Sequence, residues 1–202
     1  MTRRDAAVVA ALADARYLTR EQVQALLFPG MTAATKCQER LRKLTERKQV
    51  KRKRTAEGFV YYGEKWSEKW RHWVAVNWVY VSLVTQAKSW QKVSVFTREY
   101  AYADLRADAL VCIDNVVQKK RQIFFLEADN ATNPFGEKYG PVFDKLELAL
   151  EPPWWYRDGA FPPVLVVTPR PDKVRQVVEG SQVKYHIATL EEVRRDVFSC
   201  VR

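Results

Sequence analysis

The punctuation of the first 63 residues constrains the fold more than any other feature of the sequence. Thr2 or Asp5 can cap a helix whose apolar positions Val8, Val9, Leu12 and Ala15 recur at helical spacing. Thr19 can cap a second helix, TREQVQALLF, with Glu21 and Gln22 in its first turn and Val23, Leu26 and Leu27 facing inward. Pro29 and Gly30 stop that helix and turn the chain. Thr32 then caps a third, AATKCQERLRKLTERK, whose apolar stripe reads Ala34, Cys37, Leu41 and Leu44. Its other face offers Thr35, Lys36, Arg40, Arg42, Lys43 and Arg47. VKRKRTAEGFVYYG closes the segment as two short strands around Ala56, Glu57 and Gly58, the first basic and the second aromatic.

Helix, helix, short turn, basic helix and basic hairpin is the order of a winged helix-turn-helix. In that fold one helix enters the major groove and the wing reaches the neighbouring backbone. The charge distribution agrees. Residues 1–63 hold 14 Lys/Arg against 6 Asp/Glu, residues 64–89 hold 4 against 2, and residues 90–202 hold 16 against 16. The whole net charge of +10 therefore lies in the first 89 residues, the footprint of a polyanion-binding module attached to something else. Lys51, Arg52, Lys53 and Arg54 join the cations of the third helix as expected contacts to duplex DNA. Such contacts release counterions, need no cofactor and weaken with salt. Arg40 or Lys43 is placed to read guanine edges. The alternatives are a charged helix face that is merely solvated and a winged helix used only for protein contacts.

Residues 64–89 form a connecting stretch rich in tryptophan, with Trp66, Trp70, Trp73 and Trp78, and Trp90 just beyond. A helix from about Glu68 to Ala87 would line up Trp70, Trp73 or Val74, Asn77, Val81 and Val84. Its aromatic content fits an internal support helix or the seam of a homodimer, with His72 packed inside it. Residues 90–202 change character. WQKVSVFTREY reads as a strand or a helix start, ADALVCID and RQIFFLEAD as strands, and EKYGPVFDKLELAL as a helix. PVLVVT as a strand, PDKVRQVVEG as a helix and VKYHIATLEEVRRDVF as a strand and a helix capped by Thr189 complete an α/β sandwich. The fold class expected is α+β, with domains at 1–63 and 90–202 joined by the helix at 64–89. Three widely spaced cysteines, no CxxC pair and no His/Cys cluster argue against a disulfide framework or a zinc site. With neither a signal-peptide pattern nor a membrane-length apolar run, the expected location is the cytoplasm and no membrane partner is expected.

The acidic residues of the second half are placed unusually. Asp108 starts one strand, and Glu127 and Asp129 end the next, on one face because strand side chains repeat every two residues. Adjacent strands could bring all three within reach of one hard cation, Mg²⁺ or Mn²⁺, which would activate water against a phosphodiester. The same residues could equally form a hydrogen-bonded network or shape the FFLEADNAT turn.

Over residues 3–150 the chain resembles the replication-relaxation family of plasmids and other mobile elements. RYLTREQVQALLF, FVYYG, RHWVAVN, the Asp108–Ala109 strand start, FFLEADNAT and EKYGPVF carry the resemblance. It implies a DNA-binding protein acting in replication, transfer or transcriptional regulation of such an element. The second half also resembles the PD-(D/E)xK nuclease superfamily, whose core runs helix, three strands, helix, strand. That resemblance assigns Asp108 as first acid, Glu127 as second and Glu99 as the acid of the first helix. Asp129 stands where the superfamily has lysine, and Lys138 on the next helix could take over the charge-stabilising role. The leading expectation is a duplex-DNA-binding protein whose nuclease-like domain is not catalytic. A second is a Mg²⁺-dependent endonuclease or nickase using Glu99, Asp108, Glu127, Asp129 and Lys138. A third is a scaffold that recruits a replication or relaxase protein.

Overall fold

Capping chemistry sets where the first helices begin. In the computed structural model, which describes residues 2–30, 32–129, 153–156 and 160–201, α1 (Arg3–Ala15) opens at Thr2. The Thr2 side chain accepts from the Asp5 amide and the Asp5 carboxylate accepts from the Thr2 amide, a reciprocal capping box. β1 (Tyr17–Thr19) leads directly into α2 (Arg20–Leu27), where Thr19 and Gln22 form a second such box. Thr32 holds the N-cap position of α3 (Ala33–Glu46), but its side chain makes no cap bond, contrary to the expectation from sequence. The turn is closed by the main chain instead, with the Ala33 amide on the Gly30 carbonyl at 3.1 Å. The inward stripe of α3 is Ala33, Cys37, Leu41 and Leu44, and Ala34 faces outward. In α2, Leu26 and Leu27 are only half-buried, and Phe28, one residue past the helix, fills the core.

β2 (Lys51–Thr55) and β3 (Gly58–Tyr62) form the expected hairpin, and β1 adds to it as a third strand in the order β1-β3-β2. β1 escapes a reading of periodicity because three residues hold no period. It exists through its antiparallel pairing, Tyr17 with Tyr62 and Thr19 with Val60. One side of this sheet packs with α1, α2 and α3 through Val8, Leu12, Val23, Leu41, Leu44 and Tyr61. The other side carries Tyr17, Val60, Trp70, Trp73 and Val74, with Trp66 packed against them.

α4 spans Trp70–Gln86, close to the expected limits. It is buried over most of its circumference rather than along one stripe: Val76, Val79 and Leu83 are buried while Val84 is 41% exposed. Two buried amides tie its first half to the N-terminal elements. Gln22 Nε2 donates to the Val74 carbonyl at 2.9 Å, and Asn77 Nδ2 donates to the carbonyls of Ala15 and Tyr17 at 2.9 and 2.8 Å. The chain divides into two compact units, Met1–Val81 and Ser82–Arg202, the division falling inside α4.

The second unit is built on a five-stranded mixed sheet. β4 (Gln91–Tyr102), β5 (Leu105–Asn115) and β6 (Lys120–Ala128) are antiparallel neighbours, followed by the parallel strands β7 (Val164–Val167) and β8 (Tyr185–Ala188). WQKVSVFTREY is therefore strand throughout its described length from Gln91, not a helix start. α5 (Pro171–Val177) carries Pro171 in its first turn, and α6 (Leu190–Asp196) opens with a Thr189–Glu192 capping box. Gln86, at the end of α4, donates to the carbonyl of Arg194 at 2.9 Å and accepts from the Val197 amide at 2.8 Å. The core gathers Leu110, Phe125, Trp155, Val164, Val166 and Val174, and Trp155 Nε1 donates to the Tyr100 hydroxyl at 2.6 Å. The helix expected over EKYGPVFDKLELAL, and Lys138 with it, lies outside the described residues. Cys37 and Cys112 are fully buried, one in each unit, and burial pushes both thiols up to about 11. Among the described residues no helix is long and apolar enough to cross a membrane.

Candidate nucleic-acid interface

Burying Cys37, Leu41 and Leu44 turns the charged side of α3 outward. Thr35, Lys36, Arg42 and Arg47 are exposed, whereas Arg40 and Lys43 are half-buried. Three of these cations already have carboxylate neighbours. Lys43 Nζ lies 2.5 Å from Glu39 and Arg42 lies 2.6 Å from Glu46, both one helical turn apart. The Glu39 carboxyl is held below its ordinary range chiefly by its hydrogen bond from Lys43. Arg40 sits 3.8 Å from Asp5, the buried carboxylate that caps α1. Lys36 and Arg47 are held by no ion pair among the described residues. Of the two residues expected to read bases, Arg40 thus also bridges α3 to α1, and Lys43 bonds within its own helix.

The hairpin divides its four cations by the alternation of strand side chains. Arg52 pairs with Tyr61 and Arg54 with Phe59, so these four share a face. Tyr61 packs with Cys37, Leu41 and Leu44, which places that face on the α3 side of the sheet. Both guanidiniums lie over the Phe59 ring, 4.6 Å from its centroid for Arg52 and 6.0 Å for Arg54. Phe59 itself is 38% exposed, an aromatic among cations that no periodicity singled out. Lys51 and Lys53 point to the opposite face. Lys51 Nζ donates to the Glu64 carbonyl at 2.7 Å, and Lys53 Nζ stands 4.4 Å above the Trp66 ring and 3.9 Å from Glu68. Gly58, at φ 117°, turns the hairpin.

The carboxylates of the second unit are positioned by strand register. Glu99 lies on β4, in the left-handed region at φ 49°, rather than on the helix that the nuclease resemblance implies. The pairs Arg98–Ala109 and Tyr100–Ala107 bracket it against Asp108 on β5. Asp108 Oδ2 accepts from the Ala128 amide at 2.7 Å, so this carboxylate caps the end of β6. Glu127 is 4% exposed and pairs with Val166 of β7; Asp129 is 5% exposed and its amide donates to the Val167 carbonyl at 2.9 Å. Tyr185 on β8 has its phenol pushed up first by burial, and the charge of Glu127 adds to this. Among the described residues no three His, Cys, Asp or Glu side chains converge so as to hold a metal ion. A comparison with protein-family models, with curated proteins and with solved structures found no match in any of the three.

Proposed function

We propose that the first unit is a winged helix-turn-helix that docks on duplex DNA, with α3 in the major groove and the β2–β3 hairpin as its wing. The order α1, β1, α2, α3, β2, β3 supports this reading. The observation that carries it is the alignment of exposed cations: Lys36, Arg42 and Arg47 on the outer side of α3, and Arg52 and Arg54 on the hairpin face turned to α3. Lys51 and Lys53 serve the folded unit, and Arg40 is a positioning residue for α3. Following the family resemblance, the protein acts in replication, transfer or regulation of a mobile element. The second unit is read as a nuclease-like scaffold: three antiparallel strands followed by a parallel fourth fit that core, and Asp108 is engaged by the end of β6.

The test is a fluorescence-anisotropy titration of the full chain on a duplex at several salt concentrations. Each phosphate neutralised contributes a slope of about −0.9 in log affinity against log salt. Replacing Arg52 and Arg54 by Ala should weaken binding and flatten that slope by about 2, and Lys36→Ala with Arg47→Ala should do the same. Replacing Lys51 and Lys53 should change the slope less. Unchanged binding in the arginine variant, or equal effects of the two hairpin pairs, would sink this placement.

A further inference from the structure

One end of the second unit's sheet holds apolar side chains in water. Val116 and Val117, in the turn that joins β5 to β6, are 56% and 75% exposed, and Trp90, just before β4, is 41% exposed. The Val116 amide donates to the Trp90 carbonyl at 2.9 Å, which sets the three together. The turn is held by its own polar groups. Asn115 Oδ1 accepts from the amides of Val117 and Gln118 at 3.2 and 2.9 Å, and Asn115 Nδ2 donates to Gln118 Oε1 at 3.2 Å. The valines are thus the apex of a turn whose shape is already fixed.

Cations surround this apex. Residues 88–92 and 114–121 hold five Lys/Arg against Asp114 alone, whereas the rest of residues 90–202 holds 12 against 15. Lys92, Asp114 and Arg121 stand opposite one another on three neighbouring strands and so share a face. Arg121 takes the Asp114 carboxylate through two bonds of 2.6 and 3.2 Å. Lys120 lies one row nearer the turn, opposite Asn115, and its side chain leaves from the other face. Lys119 is in the turn itself, and Lys88 Nζ lies 5.2 Å from the centroid of the Trp90 ring. Lys92, Lys119 and Lys120 are exposed and make no ion pair among the described residues.

An aliphatic apex, a tryptophan beside it and lysines on both faces match the layers of an anionic lipid surface. We infer that this end of the second unit docks on a bilayer that carries anionic headgroups. The valines enter the acyl boundary, Trp90 lies at headgroup depth, and the lysines meet the lipid charges. A nucleic-acid groove fits the same end less well. Its floor offers hydrogen-bonding base edges, and the apex meets them chiefly with methyl groups, because Asn115 and the Gln118 side-chain oxygen serve the turn. The expectation of no membrane partner rests on the lack of a spanning segment, which a contact at the surface does not need. Docking by this end does not depend on what α3 and the wing bind.

The experiment is co-sedimentation of the full chain with phosphatidylcholine vesicles made with and without phosphatidylserine, alongside the duplex titration. The wild type should sediment with the phosphatidylserine vesicles and not with the neutral ones. Charge on the first unit also attracts such vesicles, so the variants decide. Val116→Ser with Val117→Ser alters no charge; it should weaken vesicle binding on the order of tenfold and leave duplex binding unchanged. Lys119→Ala with Lys120→Ala should weaken vesicle binding on the order of tenfold or more. Arg52→Ala with Arg54→Ala should weaken it less. Circular dichroism checks that each variant is folded, and Val117→Ser alone replaces the serine pair if that pair unfolds. A wild type that ignores phosphatidylserine vesicles, or a folded serine variant that binds them as the wild type does, would overturn the inference. So would apex variants that lose duplex affinity but keep vesicle binding, which would assign the apex to nucleic acid.

Discussion

Asn77 shows most directly how one side chain holds the first unit together. Its amide nitrogen donates to the carbonyls of Ala15, at the end of α1, and Tyr17, at the start of β1, while the residue is wholly buried. Asn77→Leu keeps the volume and removes both donors, leaving two carbonyls in an apolar site. Each buried unsatisfied group costs about 1–3 kcal/mol, so the first unit should lose about 2–5 kcal/mol, read from denaturant unfolding. A loss below about 0.5 kcal/mol, within the usual range for surface substitutions, would mean that water reaches those carbonyls. The sequence placed Asn77 on the inner side of a helix but not what it holds, since its acceptors lie 60 and 62 residues away. Arg40 has the same limit. The pairs Glu39–Lys43 and Arg42–Glu46 are legible as spacings of four, but the approach of Arg40 to Asp5 joins two helices and exists only in the folded unit.

At the scale of elements, what could be read was what local chemistry decides. α1, α2 and α6 open where Thr2, Thr19 and Thr189 offer a hydroxyl three residues before an acid or amide, and each makes the reciprocal box. β1 and the strand identity of residues 91–102 are decided by pairing across the sheet, which no local pattern carries. The α1 cap also has a pH consequence. The Asp5 carboxyl is held below its ordinary value of 3.8 first by the Thr2 amide, with the Thr2 hydroxyl and Arg40 acting the same way and burial opposing. A lowered folded-state pKa stabilises above the unfolded value, and that stabilisation disappears as pH falls through the folded value. Thermal unfolding followed by circular dichroism should therefore show Asp5→Asn less stable at neutral pH by about 0.5–2 kcal/mol, with the gap to wild type closing in acid. A gap that is constant down to acid would remove the carboxylate from this role.

For the whole molecule, the two units divide the chemistry as unevenly as the sequence divides its charge. The excess of cations belongs to the first unit, and the second carries the buried carboxylates Glu127 and Asp129. The one-sided charge was legible because composition needs no fold. The split of the hairpin cations was not, because it depends on which face of a strand meets α3 and which meets the tryptophans. The surroundings of Glu127 and Asp129 were also out of reach, since β7 joins their strand only after the long connection that follows residue 129.

The burial of Cys37 and Cys112 has a practical side. A thiol reacts as its thiolate, and both of these are closed to solvent with their ionisation pushed up to about 11. Cys200 is the partly exposed one of the three. A maleimide at neutral pH should add one label per folded chain and three once the chain is denatured, counted by intact mass. Two or three rapid additions to the native protein would mean that its cores open. One addition would make the natural sequence its own attachment point for a fluorophore, with no engineered cysteine needed.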